Sequence, residues 1–252
     1  MNKSKVDNSY ENKELPHYIN ELLALIHKHN LGSMRRYRKN EHIFHNNDPA
    51  DSIYIIQKGV VITYLADQEG RERIRRFFSV GDILGHNTLF HGGYIADAQA
   101  IQPSKVIVID KTQFLQQVES EPKLLIHLYR VLEMTHRNLA IHMGDSYYSA
   151  ETRVLKYLLR LLSQFGKSTT EGIVITIPVT HELLAKYAGT TRVTVTRVLS
   201  RLSAVNILST SPRPWIVKDY DALVELCEQA CLDHTCIVGS GYGYEQQKTC
   251  SK

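Results

Sequence analysis

The chain has 252 residues, of which 43% are apolar and 22% charged, and a formal net charge of +4. That is the composition of a globular protein with material for one large core or two modest ones. No stretch approaches the ~20 apolar residues of a membrane span, which excludes a membrane helix as partner of the bilayer, and the opening MNKSKVDNSYENK lacks the apolar centre of a signal peptide, so the expected address is cytoplasmic.

In chain order, residues 1–15 read as a disordered lead-in. Residues 16–31, PHYINELLALIHKHNL, carry apolar positions at helical spacing. From Met34 to Asp110 short β-rich runs (SIYIIQ, GVVITYL, RIRRFF, VIVID) alternate with turn formers (NND, KG, DQEG, VGD, HGG), which predicts an antiparallel β-roll. Gly59, Gly70 and Gly81 fall where strands must reverse, and Asn47 can take the same left-handed backbone. With flanking helices this forms a sensory domain over 16–120. Residues 121–145 then read as one long helix and a hinge at Gly144 and Asp145. Leu124, Leu128, Val131, Thr135 and Leu139 follow three- and four-residue steps along it, like a coiled-coil seam. A helix of roughly 30 Å with such a stripe calls for a partner, and a homodimer is the simplest one. Packing on its own domain would give the same spacing.

A further amphipathic helix, 150–164, opens a domain over 146–226. Within it, VTHELLAKYAGTTRVTVTRVLSRLSAVNIL is the most informative segment of the chain. Thr180 caps a helix from His181 to Ala188, with Leu183, Leu184 and Tyr187 or Ala188 inward, and Gly189 ends it with a left-handed residue. Thr190 or Thr191 caps a second helix that buries Val195, Val198, Leu199 and Leu202. Arg192, Thr194, Thr196, Arg197 and Arg201 are left outward. This is a helix-turn-helix whose second helix would enter the major groove of double-stranded DNA. Between Thr180 and Lys218 six basic residues stand against Glu182 alone, a local excess suited to a polyanion. ILSTS and WIVKD, around Pro212 and Pro214, read as a two-stranded wing. Contacts to DNA are assigned to Thr180, Thr191, Arg192, Val193, Thr194, Thr196, Arg197 and Arg201. No P-loop, G-x-S-x-G or H-E-x-x-H occurs, so the chain reads as a non-enzyme. A module that binds only other proteins is the competing functional class.

The motifs IFHNNDPADSIYIIQKGVVITYL, DQEGRE and SVGDILGHNTLF resemble the cyclic-nucleotide-type roll of the Crp/Fnr superfamily, and TTRVTVTRVLSRL is similar to its helix-turn-helix, in the version of the cyanobacterial nitrogen-control regulators. The resemblance runs from about Leu22 to Leu226. It implies an α+β fold: a cyclic-nucleotide-binding-like β-roll, a long dimerisation helix and a C-terminal winged helix-turn-helix. It also implies an activator of transcription, a palindromic site bound as a homodimer, and contact with RNA polymerase. Several members carry a glutamate after the arginine matching Arg192. Val193 stands there instead and offers an apolar contact suited to a thymine methyl, which suggests a GTA-like half-site. Members that bind cyclic AMP carry a glutamate after the cassette glycine and an Arg-Ser or Arg-Thr pair further on. Here His86 follows Gly85, and Ala96 and Asp97 occupy the pair, so cyclic AMP is not the expected effector. His86 and His91 are open to reading as haem ligands or as ordinary histidines. Arg71, Arg73, Arg75 and Arg76 suit either an anionic effector or a solvated strand face.

All four cysteines lie after residue 226: Cys227, Cys231, Cys236 and Cys250. In a reducing compartment such clustering points to metal or redox chemistry. Cys227 and Cys231 share one face of a helix. The arrangement resembles the Bacillus-type Fnr proteins, whose three C-terminal cysteines and an aspartate hold an oxygen-labile [4Fe-4S] cluster, and that resemblance implies Cys227, Cys231, Cys236 and Asp145 as ligands. The first spacing here is C-x3-C where those proteins have C-x2-C, and Asp145 aligns about one residue away. Zinc held by the thiolates with His234 or Asp145 is a second reading. Reduced thiols on a C-terminal extension over 227–252, with a small-molecule effector in the roll, are the third.

Overall fold

The computed structural model describes residues 17–235. The lead-in expected over 1–15, and Cys236 and Cys250, lie outside them. Helix α1 (His17–Lys28) is followed by the roll strands β1 (Ser33–Tyr37), β2 (His42–Phe44), β3 (Ser52–Lys58), β4 (Val61–Ala66), β5 (Glu72–Phe78), β6 (Ile83–Leu84), β7 (Asp97–Ala100) and β8 (Ser104–Asp110). Helices α2 (Lys111–Ser120), α3 (Pro122–Asp145) and α4 (Ala150–Phe165) come next. The last part holds β9 (Gly166–Thr169), β10 (Gly172–Ile175), α5 (His181–Ala188), α6 (Arg192–Ala204), β11 (Leu208–Ser209), β12 (Ile216–Val217) and α7 (Tyr220–Thr235). Among the described residues no helix is long and apolar enough to cross a membrane.

The roll is two four-stranded antiparallel sheets, ordered β1-β8-β3-β6 and β2-β7-β4-β5. The two-residue period of a strand sorts its core. On β3, Tyr54 and Ile56 point between the sheets, whereas Ile53 and Ile55 point outward to the helices. Between the sheets the space is filled by aromatic side chains: Phe44 stacks on Tyr94 at 3.9 Å, and the Tyr94 hydroxyl donates to the Ser52 carbonyl at 2.8 Å. Gly81 turns the chain with φ 86°, and a Cβ there would collide with Ile19 of α1. Asn47 takes the left-handed conformation expected of it, at φ 67°.

The outer face of the second sheet does not face solvent. Ile62 and Tyr64 of β4 and Ile74 and Phe77 of β5 belong to one apolar cluster with α4, α5 and α6. Phe77 meets Tyr187 edge-on at 4.8 Å, Tyr187 meets Tyr157 at 4.5 Å, and Lys186 of α5 pairs with Glu72 of β5 at 2.7 Å. The DNA-reading part is thereby packed on the roll.

Helix α3 departs from the reading of its stripe. Leu124, Leu128 and Val131, expected to meet a partner chain, are buried in the chain's own core against α1, α2 and the first sheet. Thr135 Oγ1 lies 2.8 Å from the Val131 carbonyl and accepts from Arg76 at 3.1 Å. Of the expected seam only Leu139 stays exposed. The roll, lying directly above this helix, competes for the first stripe and takes it. A second stripe, Leu125, Tyr129, Leu132, His136, Leu139 and Met143, repeats every four and three residues and is exposed throughout.

Candidate nucleic-acid interface

The helix-turn-helix is fixed by its caps. The Thr180 hydroxyl accepts from the Leu183 amide at 3.0 Å, and the Thr191 hydroxyl from the Thr194 amide at 3.2 Å. Gly189 closes α5 in the left-handed region at φ 61°. Arg153 of α4 clamps this turn: its guanidinium donates to the carbonyls of Ala188 (2.9 Å), Gly189 (2.9 Å) and Tyr148 (2.8 Å). Sequence reasoning missed Arg153 because two of its three partners are backbone atoms about 35 residues away.

On α6, Val195, Val198, Leu199 and Leu202 are buried, while Arg192, Val193, Thr196, Arg197 and Arg201 are exposed and Thr194 is half-buried. Val193 is 76% exposed at the start of the helix. His181, also unforeseen, hydrogen-bonds Thr196 Oγ1 through Nδ1 at 2.8 Å. Burial lowers its pKa first, and the charges of Arg192 and Arg213 lower it further. The wing is larger than expected. Strands β11 and β12 pair as anticipated and continue through β10 to β9 as one four-stranded sheet.

The basic excess is smaller in space than in sequence. Glu151 of α4 pairs with Arg197 at 2.6 Å and with Arg201. The Arg201 hydrogen bond is the main reason its carboxyl is held below the ordinary range. Lys186 turns to the roll through Glu72. Of the six basic residues between Thr180 and Lys218, Arg192, Arg213 and Lys218 remain as exposed cations.

Comparison with known proteins agrees with this geometry. The family "Cyclic nucleotide-binding domain" matches residues 34–121, and the family "Crp-like helix-turn-helix domain" matches residues 152–226. Together they account for more than half of the chain. The chain belongs to the Crp/Fnr superfamily of DNA-binding transcriptional regulators. It is 24% identical over 186 residues to the cAMP-activated global transcriptional regulator CRP of Pasteurella multocida, covering 73% of this chain and 89% of the relative. It is also 24% identical over 209 residues to the anaerobic regulatory protein of Bacillus subtilis, covering 81% and 88%. Its fold is that of FixK2 from Bradyrhizobium japonicum, with a TM-score of 0.69 at 23% identity over 78% of this chain and 97% of the other.

In this Crp/Fnr regulator the cassette histidine is fully engaged. His86 is buried, its Nδ1 bonded to the Ile83 carbonyl at 2.8 Å and its Nε2 to Thr135 Oγ1 at 3.2 Å. Burial above all depresses its pKa to about 4. No ring nitrogen is left for haem iron. His91 lies exposed beyond it, and Asp97 is bonded to His45 at 3.0 Å.

Of the residues assigned to a cluster, Cys227 is buried on α7 and Cys231 half-buried one turn later. Burial first, then the neighbouring Cys231, pushes the Cys227 thiol up to about 12, with Asp145 adding to the rise and Lys156 opposing it. Asp145, at the end of α3, is therefore in electrostatic range of Cys227. Its buried carboxylate already pairs with Lys156 at 3.3 Å and with Arg160 at 2.5 Å, the latter without hydrogen-bond alignment. Among the described residues no three His, Cys, Asp or Glu side chains converge as a metal site. Cys236 lies outside them, as does the side chain of His234.

Proposed function

We propose that two copies of this regulator pair through the exposed seam of α3 and bind a palindromic duplex, each placing the start of α6 in a major groove. The uncovered stripe Leu125, Tyr129, Leu132, Leu139 and Met143 carries this reading, because a solvent-facing heptad of that length otherwise leaves a large apolar patch in water. Arg192 then reads a guanine edge, Val193 packs on a thymine methyl, and the capped helix starts at Thr180 and Thr191 approach phosphates. Thr194 and Thr196 flank them, and Arg197 and Arg201 leave Glu151 for the DNA backbone. The working compartment is the cytoplasm, and the DNA-bound dimer activates transcription by touching RNA polymerase. Gel shifts on palindromes with GTA half-sites test this. Each base change within GTA weakens binding if the reading holds, and equal affinity for all trinucleotides overturns it.

The roll does not take cyclic AMP on this reading. Ala96 stands where the family places the phosphate-binding arginine, Asp97 beside it repels a phosphate, and the stacked Phe44 and Tyr94 fill the interior. Micromolar binding in a calorimetric titration would overturn it.

The free thiols of Cys227 and Cys231, one turn apart on α7 with the buried Asp145 in electrostatic range, support a second reading, in which the signal is read at α7. The described donors fit an iron–sulfur group in kind: two thiols one helical turn apart and a buried carboxylate. Cys227, Cys231, Cys236 and Asp145 would hold a [4Fe-4S] cluster, which supplies an oxygen-labile bond between α7 and the end of α3. The protein's own part is to release Asp145 from Arg160 and Lys156, and to shed the Cys227 proton. Anaerobic purification with iron and acid-labile sulfide assays decides it. Colourless, iron-free protein that still binds DNA discards the cluster in favour of zinc, free thiols or an effector elsewhere.

A further inference from the structure

Strand β5, the turn before β6, α1, α3 and α4 enclose a cleft of about 670 Å³ that reaches Tyr187 of the helix-turn-helix. Four guanidinium groups line it: Arg75 and Arg76 from β5, Arg130 from α3 and Arg160 from α4. Asp82 is the carboxylate on the same wall, and it is already paired with Arg76 at 2.7 Å. Leu22, Phe77, Val131 and Ile141 supply apolar surface between the charges. Arg160 adds an independent sign. Its Nη2 faces Asp145 and its guanidinium lies over the Tyr157 ring at 4.5 Å, while its Nη1 is buried without an aligned acceptor among the described residues. A buried donor of this kind can take an acceptor atom from a ligand. The interior of the roll is occupied by the buried side chains of Phe44, Tyr54 and Tyr94.

We propose that this cleft binds a small amphipathic anion, a carboxylate or phosphate on an apolar body, held by Arg75, Arg130 and Arg160. The volume lies within the ~300–1,000 Å³ typical of small-molecule sites. Because its walls come from the roll, the long helix, α4 and α5, an occupant would brace the DNA-reading part against the roll. That consequence rests on the DNA-binding reading above; the binding itself does not.

Calorimetric titration of the full chain with octanoate and with octyl phosphate tests the site, and octanol serves as the neutral control. Saturable binding of either anion at one per chain is expected, about tenfold tighter than octanol. The double substitution Arg75→Gln with Arg130→Gln, both exposed side chains, is expected to weaken the anion by about tenfold or more in protein that circular dichroism shows to be folded. Binding of octanoate alone identifies a carboxylate site, and of octyl phosphate alone a phosphate site. No saturable binding of either, equal binding of octanol, or an unchanged affinity in the double variant overturns the proposal. Gel shifts run in parallel separate the two readings. Protein that binds an anion but no duplex refutes DNA reading alone, and the reverse refutes this site alone.

Discussion

Arg153→Met removes the clamp on the recognition turn while keeping most of the side chain's apolar stem. Three carbonyls lose a charged donor at once: Tyr148 in the hinge, and Ala188 and Gly189 at the end of α5. Hydrogen bonds to charged groups contribute about 1.5–3 kcal/mol each, but bonds from one guanidinium are not additive. The turn is half-exposed, so water recovers part of the loss, and a net cost of about 2–4 kcal/mol follows. For a chain of this size that lowers the melting temperature by roughly 6–12 °C. Below that temperature the turn is looser, and binding must restore its order, so affinity for a palindromic site falls about tenfold for each ~1.4 kcal/mol spent. Circular dichroism melts and gel shifts at 15 °C measure both. Arg153→Lys should fall between, because an ammonium reaches fewer of the three carbonyls. A melting temperature within about 2 °C of the parent, with unchanged affinity, would refute the clamp.

Leu132→Glu is expected to split the dimer in sedimentation analysis without unfolding the chain, whereas Leu128→Glu, in the roll's own core, should unfold it; the opposite pattern would restore the first stripe as the seam. Arg192→Ala should cost about 1–3 kcal/mol of DNA affinity and relax preference at one base pair only. Glu151→Gln frees Arg197 and Arg201, so duplex affinity should rise a few-fold at low salt with a steeper salt dependence, while stability changes by less than about 1 kcal/mol. His86 and His142 both have folded pKa values near 4 because burial disfavours their charged forms. Below the ordinary value of 6.5 the unfolded chain takes up protons that the folded chain refuses, so their stabilisation is whole above that pH and drains away toward pH 4. Denaturant midpoints between pH 4.5 and 7 should therefore fall with acid, and His86→Gln should flatten the slope by up to about 1.4 kcal/mol per pH unit.

The parts of this fold set by local chemistry were legible. The roll strands show themselves through alternation and turn residues, and the helix-turn-helix through Thr180, Gly189, Thr191 and the spacing of Val195 to Leu202. What failed depended on neighbours distant in sequence. Helix α3 carries two apolar stripes one residue apart, and periodicity cannot say which one the roll covers. Charge counting along 180–218 missed Glu151 and Glu72, which lie outside the window and neutralise half of the basic side chains it counted. The hairpin of β9 and β10 left a signal that was passed over: Gly166 and Gly172 around a polar turn, followed by the alternating GIVITI. Arg153 and His181 left none, since their roles are contacts across the fold.

Helix α3 has three faces, and each is claimed by a different element. Leu124, Leu128 and Val131 anchor it to the first sheet, the Leu125 to Met143 stripe lies open for a second copy, and Arg130, Met134, Asn138 and Ile141 look into the cationic cleft. Its end, Asp145, pairs with Arg160 of α4, and Arg160 also lines that cleft. An anion at Nη1 of Arg160 competes with Asp145 at Nη2 for the charge of one guanidinium, and a group that takes Asp145 as a ligand leaves Arg160 freer for the anion. The two proposed signals are thus coupled through one ion pair. If both exist, an anion in the cleft should favour release of Asp145 toward Cys227, and by reciprocity a tether at Asp145 should tighten the anion by the same factor.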